Sequence, residues 1–282
     1  MSLKVFISVD IEGATGVASF SQCSRPDSQF FDYPFARRAL IGDVNAAIRG
    51  AKRAGAERVV VKDSHATCKN LLIDELEPGT ELISGFGATR DGMMDGIDDS
   101  FAAAMLVGYH GQAGRTCAMM DHALVGGLYR FWVNDTECGE IAVSAAAAGA
   151  CGVPTILVTG DHATCAETSE TITGAFTYCT KQGLGKYMGN LLHPSETIPG
   201  IEAAAESAVR ARAGISPFKV EGAVEMRAEF RTTEETDLVA TMEGVRRLNG
   251  YTVGWSRPDF VTAHRAMLAI FNMSIQGRRS ES

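Results

Sequence analysis

The stretch Lys4-Val5-Phe6-Ile7-Ser8-Val9-Asp10-Ile11-Glu12-Gly13 decides the fold that this sequence predicts. Its apolar beginning, residues 4–7, is typical of a buried strand. Residues i and i+2 of a strand share a face, so Asp10 and Glu12 should point the same way, about 6–7 Å apart. Ligands of open α/β sheets bind at the carboxyl ends of the strands, where a carboxylate pair suits a cation. Alternatively, the two acids only form a turn or cap the next helix.

Length, charge and cysteine usage limit the class of protein. The chain has 282 residues, 45% of them hydrophobic, which is enough for one large domain or two smaller ones. It contains no apolar run of about 18–20 residues and no leader, so we expect a cytoplasmic protein without a membrane partner. A net charge of −8 without a basic cluster argues against nucleic acid. Seven scattered cysteines without a C-x-x-C pair indicate reduced thiols rather than disulfides or a zinc ribbon.

The first two thirds of the chain alternate between strand and helix patterns. Apolar residues recur at helical spacing over 35–54, and an alanine-rich helix is predicted over 140–150. Further strands are predicted at 59–61, 80–83, 102–109, 129–133 and 154–158. This order predicts an α/β fold with a mainly parallel sheet sandwiched by helices.

The last third has a different pattern. Glycines and prolines interrupt residues 181–199, so we place a domain boundary near residue 190. Residues 1–190 would form the α/β metal-binding catalytic domain, and 191–282 a smaller α+β domain that serves the substrate pocket or oligomerisation. The α+β elements expected there are a helix at 201–212, a strand at 220–230, a helix at 234–243, a strand at 251–255 and a helix from 258. The end, 277–282, is predicted to be disordered.

Two histidines follow neighbouring predicted strands. His65 comes just after the second strand, and His110 follows strand 102–109. Taken singly, each is more often a polar loop residue or a buried histidine with ordinary hydrogen bonds. Together they share the rim of the sheet with Asp10 and Glu12. Because imidazole nitrogen and carboxylate oxygen are ligands of zinc, this shared position predicts a metal site.

A ligand count adds Glu140 to the predicted site. Local sequence does not single it out, since an acid in the first turn of a helix also stabilises the helix dipole. Two tetrahedral zinc ions need about eight coordination positions. A bridging Asp10 and a bridging hydroxide would supply two each, and one each would come from Glu12, His65, His110 and Glu140. Three carboxylates and one hydroxide also offset the charge of two divalent cations, whereas a single metal would leave ligands unused.

His122 would be surplus to that ligand set. A histidine beside metal-bound water can act as a general acid or base, or donate a hydrogen bond to a developing oxyanion. Alternatively, it is a loop histidine beside a solvated Asp121. The three remaining histidines of the chain have no comparable context: His162, His193 and His264.

These motifs, in this order, resemble a known family, the DppA-type D-aminopeptidases, which are zinc metallopeptidases associated with dipeptide uptake. The resemblance is carried by Ser8-Val9-Asp10-Ile11-Glu12-Gly13, Asp63-Ser64-His65, Gly108-Tyr109-His110, His122 and Asn134-Asp135-x-x-x-Gly139-Glu140. It is specific from the first strand to about Asp161 and more diffuse beyond.

The resemblance implies a role for each matching position. Asp10 would bridge two zinc ions per chain, and His122 would be the catalytic histidine. The remaining ligands would be Glu12, His65, His110 and Glu140. It further implies that the enzyme removes N-terminal D-amino acids from short peptides such as D-Ala-D-Ala, and that it forms a ring-like homo-oligomer enclosing the sites.

The predicted reaction is attack of metal-bound hydroxide on the scissile carbonyl, because zinc lowers the pKa of bound water from about 16 to about 7. Two alternatives stay open at this point. One is a two-metal hydrolase of another class, an amidase or a phosphoesterase, although no basic cluster or glycine-rich phosphate loop stands beside the ligands. The other is a non-catalytic peptide-binding relative with a structural metal, although the ligand count leaves a position for water.

Overall fold

The computed structural model describes residues 3–23, 32–85 and 92–277. Within these ranges the chain forms strands β1 to β12 and helices α1 to α6. In chain order they are β1 (Lys4–Val9), α1 (Tyr33–Arg53), β2 (Arg58–Asp63), β3 (Thr80–Ile83), β4 (Ala103–Tyr109), β5 (Leu128–Val133), β6 (Thr136–Glu137), α2 (Glu140–Ala150), β7 (Thr155–Asp161), α3 (His162–Thr171), β8 (Phe176–Gly185), β9 (Met188–Leu191), α4 (Pro194–Ala211), β10 (Val224–Phe230), α5 (Thr233–Val239), β11 (Val245–Arg247), β12 (Thr252–Arg257) and α6 (Phe260–Gly277).

The main sheet has seven strands in the order β3-β2-β1-β4-β7-β8-β9. The first six run parallel, and β9 returns antiparallel beside β8. This arrangement confirms the predicted α/β class. Because β2, β1 and β4 are adjacent and parallel, their carboxyl ends lie side by side at one rim.

Both faces of the main sheet are covered. Val5, Ile7 and Val9 of β1 pack in one apolar cluster with α1 and α4. Phe6 faces the other way and belongs to a second cluster that includes α2, α6 and the smaller sheet. Strand β1 is therefore buried on both faces, as expected for a central parallel strand with a continuous apolar sequence.

The smaller sheet is antiparallel, with the strand order β11-β12-β10-β5-β6. The aromatic strand predicted at 129–133 forms as β5 but pairs in this sheet with β10 rather than in the parallel sheet. The smaller sheet thus takes strands from both sides of residue 190, while α4 packs against α1. The division into domains 1–190 and 191–282 stays a prediction.

The segment 181–199 contains regular structure that the sequence pattern did not predict. It holds the end of β8, all of β9 and the first turns of α4. One glycine there serves a close approach rather than a linker, because a Cβ on Gly183 would lie 1.9 Å from the carbonyl oxygen of Cys117. Helix α3 was also missed, since His162–Thr171 lacks a periodic apolar pattern.

Three smaller expectations have clear outcomes. All seven cysteines are free thiols, as predicted. Gly277 ends α6 in ordered structure, and the rest of the tail predicted to be disordered, 278–282, lies outside the described residues. No helix in the described ranges is both long and apolar enough to cross a bilayer.

Candidate metal centre

The ends of β1 and β4 bring Asp10 and His110 together. The Asp10 backbone N–H donates to the carbonyl oxygen of Val107 at 2.9 Å, and the Gly13 N–H donates to that of Gly108 at 2.8 Å. A Cβ on Gly13 would lie only 1.8 Å from the Tyr109 carbonyl oxygen, so this approach requires glycine. The acids of the first strand are therefore held against the end of β4.

His65 faces Glu12 across the neighbouring strand end. The distance from His65 Nε2 to Glu12 Oε1 is 3.3 Å. The loop that carries His65 is fixed by Asn70, whose side-chain amide donates to the His65 carbonyl oxygen and to the Asp63 carboxylate, both at 2.9 Å. Asp63 also accepts the backbone N–H of Leu71 at 2.8 Å. A buried carboxylate thus organises the turn that presents the histidine.

His110 joins Asp10 to Glu140. Its Nε2 lies 3.2 Å from Glu140 Oε1 and 3.6 Å from Asp10 Oδ2. Its Nδ1 lies 2.9 Å from the carbonyl oxygen of Gly111, which can only accept, so the Nδ1 proton donates there. In the neutral ring, Nε2 then carries a lone pair aimed at the acids, which is the usual tautomer of a metal-binding histidine. Glu140 is the first residue of α2 and is buried.

His122 lies against the same cluster. Its ring stacks on that of His110, with centroids 3.9 Å apart and planes 17° apart. Its Nδ1 is 2.9 Å from the Met120 carbonyl oxygen, and its Nε2 is 3.8 Å from Glu140 Oε1. His110, His122 and Glu140 offer ligand atoms within 4.8 Å of one another, as do Asp10, Glu12 and His110. The geometry therefore allows His122 to bind a metal or to transfer protons.

Mutual charges shift the titration of the three acids. Burial raises the pKa of Asp10 well above its usual range, and the nearby carboxylates of Glu12 and Glu140 add to this effect. Burial alone would also raise the pKa of Glu12, but the adjacent His65 outweighs it and the pKa lies well below the ordinary value. The pKa of Glu140 is lowered in the same way by His110.

The three imidazoles divide into two kinds. Burial opposes the charged form of His65, yet Glu12 raises its pKa to about 9. Glu140 likewise outweighs burial at His110 and raises its pKa well above the ordinary value. His122 differs, because burial and the neighbouring His110 lower its pKa. It is the imidazole of the cluster that favours the neutral form.

Several buried atoms of the cluster lack hydrogen-bond partners within the described part of the chain. They are Asp10 Oδ2, Glu12 Oε2, His65 Nδ1 and His110 Nε2. Buried polar atoms are normally satisfied, and buried carboxylates need a compensating cation. Carboxylate oxygens and imidazole nitrogens are the donors that zinc takes in proteins, so this residue set fits a zinc centre.

The cluster opens into a cavity of about 890 Å³. Asp10, Glu12, His65, His122 and Glu140 line it on one side. Helix α6 also lines the cavity and contributes the apolar side chains Met267, Leu268, Phe271 and Ile275.

All six predicted site residues thus meet at one place, and the structure adds residues that sequence reasoning missed. His264 of α6, for which the sequence offered no context, lines the cavity. Ser8, Tyr109 and Ser144 form a hydroxyl network, with 2.7 Å from Ser8 Oγ to the Tyr109 hydroxyl and 3.3 Å from that hydroxyl to Ser144 Oγ. The two-residue spacing from Ser8 near the end of β1 to Asp10 just beyond it is the only sequence signal for this network.

A buried acid–imidazole cluster at the rim of a parallel sheet, open to a cavity, defines a metallohydrolase class of site. The model of the D-aminopeptidase family matches residues 3–269, and the chain belongs to this family.

A sequence match and a structure match support the assignment. The chain is 28% identical over 280 residues to a D-aminopeptidase of Bacillus subtilis strain 168, with 97% of this chain and 98% of the relative covered. It also resembles the solved structure of the "Zn-dependent D-aminopeptidase DppA from Bacillus subtilis, a self-compartmentalizing protease", with a TM-score of 0.92 and 28% identity over 99% of this chain and 100% of that one. The predicted family and the expectation of a metallo-aminopeptidase are confirmed.

Proposed function

We propose that the chain releases N-terminal D-amino acids from short peptides such as D-Ala-D-Ala, using two zinc ions held by the acid–imidazole cluster. The observation that carries this proposal is the set of buried carboxylate and imidazole atoms without hydrogen-bond partners in a cluster that opens into the cavity. Family membership supplies the reaction, and the zinc dependence of the Bacillus subtilis structure favours the metal.

Five side chains would hold the metal. They are Asp10, Glu12, His65, His110 and Glu140. Asp10, Glu12 and His110 would bind metal together, because their ligand atoms lie within 4.8 Å of one another, and His110 links this group to Glu140 at 3.2 Å. Bound zinc supplies a Lewis acid for the peptide carbonyl and lowers the pKa of water.

His122 would be the catalytic residue. Its Nδ1 lies against the Met120 carbonyl oxygen, which leaves Nε2 facing the cavity side of the cluster. Burial lowers the pKa of His122, so the neutral ring at Nε2 can accept a proton and later donate it to the leaving amine. The stack on His110 holds the ring in place for this transfer.

The size of the cavity favours a short peptide. A volume of about 890 Å³ is within the range of small-molecule pockets. Helix α6 lines the cavity with apolar side chains, which would contact the substrate's side chains while the acid–imidazole cluster holds the reacting bond. A free α-amino group can pair with a carboxylate of the cluster, which would restrict cleavage to the first residue.

We also propose a ring-shaped homo-oligomer. The Bacillus subtilis structure is described as self-compartmentalizing. In this chain the β8–β9 hairpin exposes the apolar residues Leu184 (55%), Tyr187 (57%) and Met188 (62%), which would be covered by a neighbouring subunit. A cytoplasmic location stays a prediction.

A substrate panel tests the function. Zinc-loaded protein is assayed for amino-acid release from D-Ala-D-Ala, L-Ala-L-Ala and D-Ala-D-Ala blocked at its amino group, and for phosphate release from a phosphomonoester. We expect hydrolysis of the free D-peptide only. Phosphate release, or equal cleavage of the blocked peptide, would contradict the proposed activity. Peptide binding without turnover by metal-loaded and metal-free protein alike would indicate a binding protein instead.

A further inference from the structure

Lys181 is a buried cation on β8 that the proposed chemistry does not use. Its side chain is 0% exposed. The Nζ donates to three backbone carbonyl oxygens, those of Glu12 at 2.5 Å, Ala14 at 2.9 Å and Val17 at 2.5 Å. Within the described ranges, no carboxylate forms an ion pair with it.

Burying an ammonium group is unfavourable unless its protons are satisfied. Lys181 has three N–H donors and three carbonyl partners, so each proton is used. All three partners belong to residues that are themselves buried, and their carbonyls would otherwise face protein without water. The segment 12–17 therefore supplies the hydrogen-bond acceptors that allow Lys181 to be buried, and Lys181 supplies the donors for the buried carbonyl groups of that segment.

The segment 12–17 begins with Glu12, whose carboxylate contacts His65. Thr180, the neighbour of Lys181 on β8, adds a bond from its hydroxyl to the Gly13 carbonyl oxygen at 2.7 Å. Two consecutive residues of β8 thus hold the backbone carbonyl groups of Glu12 and Gly13. Thr180 follows Gly13 by 167 positions in the chain, and Lys181 follows Glu12 by 169. By holding the backbone at Glu12, these distant residues restrict the position of its carboxylate.

We propose that Lys181, assisted by Thr180, is a positioning residue that holds Glu12 in register for the metal. This inference rests on the proposed zinc site. Lys181 does not touch the substrate; it acts through the backbone of a ligand. Residues that orient metal ligands typically change metal affinity by about 10–100-fold when they are removed.

The test replaces the ammonium by an apolar side chain of similar length, Lys181→Met. Zinc affinity is measured by competition with a chelator, and the visible spectrum is recorded after cobalt substitution. We expect zinc binding about 10–100-fold weaker than in the unaltered protein and a changed cobalt spectrum, because Glu12 is no longer held.

A matched control separates positioning from general stability. Val253→Ala, in the core of β12 and far in the fold from segment 12–17, should lower the melting temperature and leave zinc affinity and the cobalt spectrum unchanged. If Lys181→Met does not fold, Thr180→Val takes its place. That variant removes the hydroxyl that lies 2.7 Å from the Gly13 carbonyl oxygen and 3.0 Å from that of Gly160, so it disturbs fewer buried carbonyls than Lys181→Met does. It should also weaken zinc binding, by a smaller factor.

The outcomes are distinguishable. If the unaltered protein binds no zinc, both the proposed function and the positioning role are overturned. If it binds zinc and folded Lys181→Met binds with the same affinity and cobalt spectrum, only the positioning role is overturned. Unchanged affinity in Thr180→Val, where that variant has to be used, has the same meaning.

Discussion

The rim of the parallel sheet and the smaller antiparallel sheet use burial in opposite ways. The rim buries three acids and His110 almost completely, and the side chain of His65 is only 12% exposed. In the antiparallel sheet, β10 buries Val224, Met226, Ala228 and Phe230, while the polar residues between them stay partly exposed. One region holds charges that need a cation, and the other follows the simple alternation of a half-buried strand.

This difference predicts that function and stability can be changed separately. Substitutions at the rim should change metal binding and turnover, whereas substitutions in the antiparallel sheet should change the free energy of unfolding. Helix α6 joins the two regions, because Phe271 packs on Phe131 and Trp255 and also lines the cavity.

The largest effect is expected for Asp10→Asn. A neutral amide is a weaker zinc ligand than a carboxylate, so zinc content and peptide hydrolysis should fall together, by about 100-fold or more in activity. Metal analysis and a D-alanine release assay on the same sample check this result. Full activity with two metals bound would break the assignment of Asp10.

Next in size is His122→Ala. We expect turnover to fall by about 10²–10⁴-fold, since a general acid–base group is lost, while zinc content is unchanged. Loss of zinc in this variant would instead make His122 a ligand, beside His110 and Glu140. Unchanged turnover would mean that it is an ordinary loop histidine.

The antiparallel sheet is tested with Phe131→Ala. Phe131 is buried and contacts Trp255 and Phe271 through their rings. Its loss should lower the free energy of unfolding by about 3–5 kcal/mol, measured by denaturant titration. Zinc affinity of the folded variant should equal that of the unaltered protein. A parallel loss of zinc affinity would show that the two regions are not separable.

The smallest effect concerns pH and His264 of α6. Burial lowers the pKa of His264 to about 4. Above pH 6.5 the ring is neutral in both folded and unfolded protein, so it has no effect. Between pH 6.5 and pH 4 only the unfolded state gains the proton, so stability is lost as pH falls, by roughly 2 kcal/mol at pH 5.

His264→Phe should remove this loss. The phenyl ring can keep the stack on Phe260, whose ring centroid lies 5.4 Å away. The free energy of unfolding is compared at pH 7 and pH 5 in both proteins without metal. Equal pH dependence would contradict the assignment to His264.

The residues at the rim of the parallel sheet could be predicted from the sequence more easily than the contacts between distant segments. Parallel strands carry their chemistry at their carboxyl ends, so the strand boundaries alone placed Asp10, Glu12, His65 and His110 at one rim. Glu140 needed the ligand count and the family resemblance, because a glutamate at the start of a helix has an ordinary explanation. His122 lies in a loop whose path depends on distant residues, such as Asp161, which accepts the Met119 N–H at 2.6 Å.

Other features could not be predicted from local patterns. The place of β5 in the antiparallel sheet is decided by pairing with β10, almost a hundred residues later. The position of α6 at the cavity depends on how the C-terminal part of the chain packs against the main sheet. No sequence motif predicts that packing. The hydrogen bonds of Lys181 join residues more than 160 positions apart. A single lysine in a segment interrupted by glycines does not predict these contacts.

A zinc titration of metal-stripped protein distinguishes a two-zinc peptidase site at the rim from every other reading of the cluster. Bound zinc per chain and D-alanine release from D-Ala-D-Ala are measured at each addition. We expect hydrolysis to rise with bound zinc and to reach its maximum at two ions per chain. Full hydrolysis without zinc, or no bound zinc at saturation, would show that the rim is not such a site.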